Sequence, residues 1–143
     1  MCTTISFKFN QGYVFGRTLE MGIVMDHDIM SLPAKHPKFI NIEEEILKSK
    51  YAVLGTSFTG CESFGDGINE KGLMGPNNFF SCFGSFANEP NEGKINIILA
   101  EAFDYLLSNC SEVVEVIEKA AKLCVRKDYT NRPISIDIQP LLL

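Results

Sequence analysis

Polar and apolar residues alternate over residues 2–9, which is the period of a β-strand. A turn signal follows at Asn10–Gly12, and residues 13–15 begin a second strand, so the pattern predicts a β-hairpin. Further apolar stretches over residues 23–32 and 51–54 predict two more strands.

The predicted hairpin decides which side chains lie near the start of the chain. If it folds symmetrically about Gln11, Cys2 lies opposite Glu20. In the same register Arg17 lies opposite Ile5. The hairpin therefore brings an arginine and a carboxylate into the neighbourhood of the Cys2 thiol.

Polar and glycine-rich segments are predicted to connect the strands. Residues 33–50 are mostly polar and indicate a surface loop. Residues 55–67 hold four glycines and two serines, which favours loop or turn. Residues 69–72 are typical of a turn between strands, in which Gly72 supplies a positive φ.

Two helices are predicted in the second half of the chain. Residues 95–108 are apolar nearly all round, so this helix should be largely buried. Ser111 is predicted to cap a second helix, with Glu112 and Glu115 in its positive first turn. One stripe of this helix is predicted to be core: Val113, Val116, Ile117, Ala120 and Cys124.

The order of elements indicates the fold class. Isoleucines alternate with polar residues over residues 134–138, which predicts a strand after the helices. Strands followed by two helices and another strand predict an α+β fold, with the helices on one face of a mainly antiparallel sheet.

Length and charge narrow the classes of function. A chain of 143 residues suits one domain. The balance of 13 Lys+Arg against 18 Asp+Glu, a net charge of −5, argues against a nucleic-acid partner. The apolar runs are too short for a membrane span, and no export signal is visible, so a cytoplasmic location is predicted.

Four of the five cysteines are predicted to be small, mostly buried, inert thiols: Cys61, Cys82, Cys110 and Cys124. A reducing cytoplasm would keep them free of disulfides. No CxxC spacing occurs and the chain has two histidines, so a metal site is not expected. No cofactor is expected either, because Cys2 could supply both a nucleophile and its base.

The fifth cysteine has a distinct chemistry because of its position. Removal of Met1 would leave Cys2 with a free α-amine and a thiol on one residue. Their ordinary pKa values, about 8 and about 8.5, lie near neutrality, so the amine can act as base for the thiol. Arg17 would favour the thiolate, and Glu20 would hold the ammonium or a bridging water.

Several segments in a fixed order resemble the choloylglycine hydrolase family, which contains conjugated bile salt hydrolases and penicillin V acylases. The segments that carry the resemblance are Met1–Ile5, Phe15–Glu20, Tyr51–Gly55, Asp66–Gly75, Asn88–Pro90 and Leu107–Cys110. The resemblance implies an N-terminal nucleophile hydrolase with a four-layer αββα sandwich. It also implies hydrolysis of a linear, non-peptide amide through a thioester.

The resemblance assigns roles to individual residues. Cys2 matches the family's nucleophile and Arg17 matches the arginine beside it, while Glu20 stands where the family usually has Asp. Phe79 occupies the oxyanion position, where the family has Tyr or Asn and Phe offers no side-chain donor. Asn78 is adjacent, but on a strand it would point to the opposite face unless a bulge intervened.

The chain also departs from the family in length, since family members are more than twice as long. Residues 2–143 are therefore interpreted as a partial domain, the N-terminal half of the sandwich. Two hypotheses follow: an amide hydrolase acting on a conjugated bile salt or on penicillin V, or a catalytically inactive remnant that serves as an interaction protein. Met74–Gly75 and Asn88–Pro90 favour the acylase branch. A homo-oligomer or pairing with a separate second half would cover the exposed sheet.

Overall fold

The structure is a computed structural model that describes residues 2–20, 24, 26–37, 39–40, 46–59, 62–78 and 85–126. The strands are β1 (Cys2–Phe9), β2 (Gly12–Leu19), β3 (His27–Leu32), β4 (Phe39–Ile40), β5 (Ile46–Leu47), β6 (Val53–Phe58), β7 (Phe64–Asn69), β8 (Met74–Pro76), β9 (Ile95–Ile98) and β10 (Leu123–Arg126). The helices are α1 (Leu99–Asn109) and α2 (Val113–Ala120).

Four strands form the main sheet, which is antiparallel in the order β3-β6-β7-β8. β1 and β2 pair as an antiparallel hairpin, and β4 pairs with β5 inside the segment predicted as a surface loop. β9 and β10 pair in parallel and are connected through both helices. The predicted α+β class with a mainly antiparallel sheet is confirmed.

The first helix begins later than predicted. The sequence pattern predicts helix at residues 95–98, but these residues form β9 and pair with β10. Three of these four residues are isoleucines, which favour an extended strand, and the pairing partner follows both helices, where local periodicity does not reveal it. α1 then buries Ala102, Tyr105 and Leu107, so the prediction of a buried helix is confirmed for that part.

The second helix differs in its cap and in its apolar stripe. Glu112 is the N-cap, and the Ser111 backbone N–H and hydroxyl donate instead to the Glu115 carboxylate. The predicted core stripe is wrong, because Val113 and Ile117 are largely exposed. α2 ends at Ala120. Cys124, the buried residue of the predicted stripe, therefore lies on β10 and not on the helix.

Glycines lie inside strands rather than in the predicted loop. The prediction of loop or turn over residues 55–67 is wrong, because β6 continues to Phe58 and β7 begins at Phe64. Gly55 pairs with Gly67, and a Cβ at Gly55 would overlap the backbone of β7. The predicted turn at residues 69–72 is confirmed, with Gly72 at φ +85°.

The core is formed by the main sheet, α1 and the β9–β10 pair. Its buried apolar members are Leu32, Val53, Phe64, Ile97, Ala102, Tyr105, Leu107 and Leu123. Buried polar groups fix the same contact, since Asp104 accepts the Phe64 N–H at 3.0 Å. Asn69 Nδ2 donates to the carbonyl oxygens of Leu107 (2.7 Å) and Cys110 (2.6 Å). These bonds join β7 to α1 and to the C-cap of that helix.

Some sequence predictions lie outside the described residues. They are the strand over 134–138 and the residues Cys61, Cys82 and Phe79.

Candidate active site

The hairpin predicted at the start of the chain is present, but its register is not the predicted one. The predicted pairs, Cys2 with Glu20 and Arg17 with Ile5, are wrong by one residue. The physical reason is the loop: it contains two residues, 10–11, so the hairpin is symmetric about the bond between them and not about a residue.

The observed register places the thiol and the guanidinium on one face of the hairpin. Cys2 lies opposite Leu19, and Thr4 lies opposite Arg17. Because side chains alternate along a strand, Cys2, Thr4 and Arg17 share a face. Cys2 and Arg17 are diagonal neighbours, whose Cα–Cα separation in an antiparallel pair is about 7–8 Å and is bridged by a long side chain.

Glu20 stands directly after the last residue of β2 and is exposed. The residue before it, Leu19, is the one that faces Cys2. The structure therefore brings Cys2 and Arg17 to one face and leaves Glu20 one residue beyond the paired strands.

The Arg17 guanidinium is held away from solvent by the main sheet. Its side chain is 5% exposed although β2 lies outside that sheet. Nη2 forms an ion pair with Asp66 Oδ2 at 3.0 Å, and Nη1 donates to the Asn77 carbonyl oxygen at 3.1 Å. Arginine stays protonated in proteins, and a buried charge without a partner is costly. The Asp66 carboxylate supplies that partner for Arg17.

A β-bulge shapes the surroundings of this ion pair. The pairing of β6 with β7 shifts after Thr56, which leaves Gly65 as an extra residue without an opposite partner. A Cβ at Gly65 would lie 3.1 Å from Arg17 Nη2, so the missing side chain leaves room for the guanidinium. Thr56 Oγ1 donates to Asp66 Oδ1 at 2.7 Å, which engages the second carboxylate oxygen.

Sequence reasoning does not find the partners of Arg17. Asp66 comes 49 positions later, and its segment was interpreted only as tight-turn chemistry and as the start of a family motif. That motif position is the one signal that could have pointed to a role for the aspartate. Gly65 and Thr56 carry no such signal, because a bulge and a cross-strand pair are set by sheet register.

Of the two oxyanion candidates, the structure describes Asn78. Its Nδ2 donates to Thr4 Oγ1 at 2.8 Å, and Thr4 shares the hairpin face of Cys2. Asn78 lies two residues after β8, which ends at Pro76. It is therefore not part of a strand, and the alternation used in the prediction does not apply to it. Its amide donor therefore reaches the face that carries the thiol.

The described thiols fall into two groups. Cys2 is half-buried and forms no disulfide, whereas Cys110 and Cys124 are free and buried. Burial raises the pKa of the Cys110 thiol, with Lys119 acting in the opposite direction. The prediction of a buried thiol is confirmed for Cys110 and Cys124, and a raised pKa makes a thiol a poorer nucleophile at neutral pH.

Among the described residues, His, Cys, Asp and Glu side chains form no cluster of three or more that could hold a metal ion. The described helices are each too short or too polar to cross a membrane.

Comparison with solved structures identifies the class of fold. A crystal structure of the C2A variant of conjugated bile acid hydrolase from Clostridium perfringens matches with a TM-score of 0.77 at 31% identity. The match covers 96% of this chain and 41% of that chain. The N-terminal nucleophile hydrolase fold predicted from the motifs is confirmed for this portion.

The family follows from the sequence comparison. The model of the linear amide C–N hydrolases, choloylglycine hydrolase family, matches residues 2–136, and this chain belongs to that family.

Named relatives are bile salt hydrolases. The chain is 34% identical over 121 residues to the bile salt hydrolase/transferase of Clostridium perfringens, covering 82% of this chain and 37% of that protein. It is 32% identical over 142 residues to the conjugated bile acid hydrolase of Lactobacillus acidophilus, covering 95% and 44%. The chain thus spans about two fifths of the length of the relatives it matches.

Proposed function

We propose that this chain carries the nucleophilic part of a linear amide hydrolase, with Cys2 as the nucleophile. The single observation that supports this most is the shared hairpin face of Cys2 and Arg17, whose guanidinium is buried beside Asp66. Family membership supplies the reaction class. We further propose that residues 2–143 form one partial domain of this fold.

The reaction begins with proton transfer. Once Met1 is removed, the Cys2 α-amine accepts the thiol proton, directly or through a water, and the thiolate attacks the amide carbonyl carbon. The C–N bond breaks as the ammonium returns a proton to the leaving amine. A water then attacks the thioester, which releases the carboxylic acid and restores the thiol.

Arg17 and Glu20 assist this step in the proposal. The Arg17 cation favours the thiolate over the neutral thiol. Glu20, which ends the hairpin one residue beyond the position opposite Cys2, would hold the α-ammonium or the bridging water.

For the oxyanion we propose the Asn78 amide, supported by its bond to Thr4 on the Cys2 face. Phe79 would contribute only its backbone N–H. Loss of one such donor costs about 10²–10³ in rate, so Asn78→Ala should reduce turnover by that factor if the amide is the donor.

The proposed substrate is a conjugated bile salt, because the named relatives are bile salt and conjugated bile acid hydrolases. Penicillin V is the alternative substrate, supported by Met74–Gly75 and Asn88–Pro90. A cytoplasmic location remains a prediction.

The test uses the purified 143-residue chain and needs no cofactor. Intact-mass spectrometry first establishes whether Met1 is absent, because a retained Met1 blocks the base and contradicts the mechanism. Hydrolysis of glycocholate and of penicillin V is then measured for the wild type, for Cys2→Ala and for Thr3→Ser on the opposite hairpin face. We expect turnover in the wild type and Thr3→Ser, and none in Cys2→Ala.

A second candidate function is an interaction protein without catalysis. It is supported by exposed apolar side chains on the hairpin, such as Ile5 and Phe7, and on the main sheet, such as Ile29. Cys2-dependent turnover by this chain would contradict it. Absence of turnover together with a defined oligomer or a co-purifying second polypeptide in size analysis would support it.

A further inference from the structure

A buried arginine requires a partner, and the main sheet supplies one. Arg17 reaches from the hairpin to β7, where Asp66 Oδ2 accepts its Nη2 at 3.0 Å. The other carboxylate oxygen accepts the Thr56 hydroxyl at 2.7 Å. Both oxygens of Asp66 are thus engaged, which fixes the carboxylate in one orientation and the guanidinium with it.

The end of β8 holds the same guanidinium from a second direction. The Asn77 carbonyl oxygen accepts Arg17 Nη1 at 3.1 Å. The Asn77 backbone N–H in turn donates to the carbonyl oxygen of Gly65, the bulge residue, at 2.8 Å. The bulge therefore ties together the two backbone segments that contact Arg17 and keeps space for its head group.

From this arrangement we propose that Asp66 is a positioning residue, which fixes the Arg17 guanidinium toward the hairpin face that carries Cys2. The inference rests on the proposed function, because it matters for catalysis only if Cys2 is the nucleophile. In this proposal Asp66 acts on Cys2 through Arg17.

The proposal predicts the direction in which the reactivity of Cys2 changes when the Asp66 charge is removed. Among the described residues, the charged groups on this end of the hairpin or in contact with it are the Cys2 thiol and α-amine, Arg17, Asp66 and Glu20. Removing a carboxylate that acted only through space should speed alkylation of Cys2, since one negative charge is lost and the thiolate is favoured. Removing a carboxylate that holds Arg17 in place should slow alkylation of Cys2, because the cation moves away. The direction of the rate change therefore separates the two roles.

The experiment measures Cys2 itself. The 143-residue chain whose Met1 is removed, as verified by intact mass, is alkylated with iodoacetamide between pH 5 and pH 10, and the Cys2 peptide is quantified by mass spectrometry. Variants are Asp66→Asn, Asp66→Glu and the control Asp28→Asn, which removes the same charge from an exposed position on β3. Alkylation of Cys110 reports whether each variant stays folded.

We expect Asp66→Asn to raise the pH of half-maximal alkylation and to slow the reaction at pH 7 by about three- to tenfold, as loss of a nearby opposite charge does. Asp66→Glu should recover part of the rate, and Asp28→Asn should match the wild type. An unchanged profile, or one shifted to lower pH, overturns the proposal.

Two further variants keep the test decisive if Asp66→Asn fails to fold. Thr56→Val removes the hydroxyl that orients Asp66 and should shift the profile in the same direction by a smaller amount, whereas Thr56→Ser should not. In an Arg17→Ala background, Asp66→Asn should no longer slow the alkylation of Cys2. An equal upward shift with and without Arg17 contradicts the proposal.

The alkylation profile requires no substrate, so the two proposals fail separately. An upward shift without glycocholate or penicillin V turnover supports the positioning role and contradicts the activity of this chain. Turnover without a shift supports the activity and overturns the role of Asp66.

Discussion

Both faces of the main sheet carry apolar side chains, but the described elements cover them differently. On one face Leu107 of α1 packs toward β7 and is 3% exposed. On the other face Leu54 is 53% exposed, and its neighbours Ile29 and Ile68 are exposed as well. The buried polar group on that open face is Arg17 with its partner Asp66. The candidate site thus lies on the open face, while the covered face supports it.

This difference separates stability from chemistry within one sheet. Side chains between the sheet and α1 stabilise the fold through burial, at about 25 cal/mol per Å² of apolar surface removed from water. Apolar side chains on the open face contribute little in this chain, because they remain in water. Substitutions on the two faces should therefore have unequal effects on the free energy of unfolding.

The largest effect is expected at Gly55. A Cβ there would overlap the backbone of β7 and lie 2.8 Å from Phe64 Cδ1, so β6 and β7 would have to separate. Gly55→Ala should lower the free energy of unfolding by about 3 kcal/mol or more in urea titrations followed by circular dichroism. Gly75→Ala is the matched control, because its nearest atom, Phe103 Cε2, lies at 3.9 Å. Equal losses in both variants would contradict the close approach of β6 and β7.

The next effect tests the two faces directly. Leu107→Ala should cost about 2–5 kcal/mol, since it removes a buried side chain from the core and leaves a cavity. Leu54→Ala, the same change on the open face, should cost less than about 0.5 kcal/mol. Both are read as shifts in the urea midpoint. A comparable loss for Leu54 would mean that the open face is covered in solution.

The smallest effect concerns α2, outside both faces. Hydrogen bonds from the Ser111 N–H and hydroxyl hold the pKa of Glu115 below its ordinary value. A lowered pKa in the folded state means that the contribution is present above the unfolded pKa of about 4.3 and is lost as pH falls through the lower folded value. The Tm difference between wild type and Glu115→Gln should therefore shrink from pH 6 to pH 3.

Glu118→Gln on the same helix is the control for that pH series, because Glu118 is exposed. Its Tm should follow the wild type throughout. A wild-type advantage over Glu115→Gln that grows toward pH 3 would contradict the assignment.

Local pattern is enough to predict a good part of this molecule. Alternation over residues 2–9 predicts β1, and a glycine that must adopt positive φ predicts the turn at Gly72. Both depend on forces between near neighbours in the chain, which the sequence displays directly. The chemistry proposed for Cys2 is likewise readable from the sequence, because an α-amine and a thiol on one residue need no tertiary contact to be recognised. The motifs that resemble the family supply the reaction class.

The hairpin register is also local: the two-residue loop at 10–11 places Leu19, and not the predicted Glu20, opposite Cys2. Other features depend on contacts between distant segments. The local pattern of the β9 residues predicts helix, and their strand conformation becomes evident only from the parallel pairing with β10. Exposure of the apolar stripe on α2 follows from where the helix lies against α1 and not from its periodicity.

The contact between Arg17 and Asp66 is the clearest case of this kind. The sequence predicts that Arg17 lies near Cys2, but it does not reveal which residue pairs with Arg17 or that the guanidinium is buried. The partner depends on a bulge at Gly65, on the pairing of β6 with β7 and on the approach of the hairpin to β8. Each of these is a long-range packing event, whose energy is shared among many residues and has no local periodic signature.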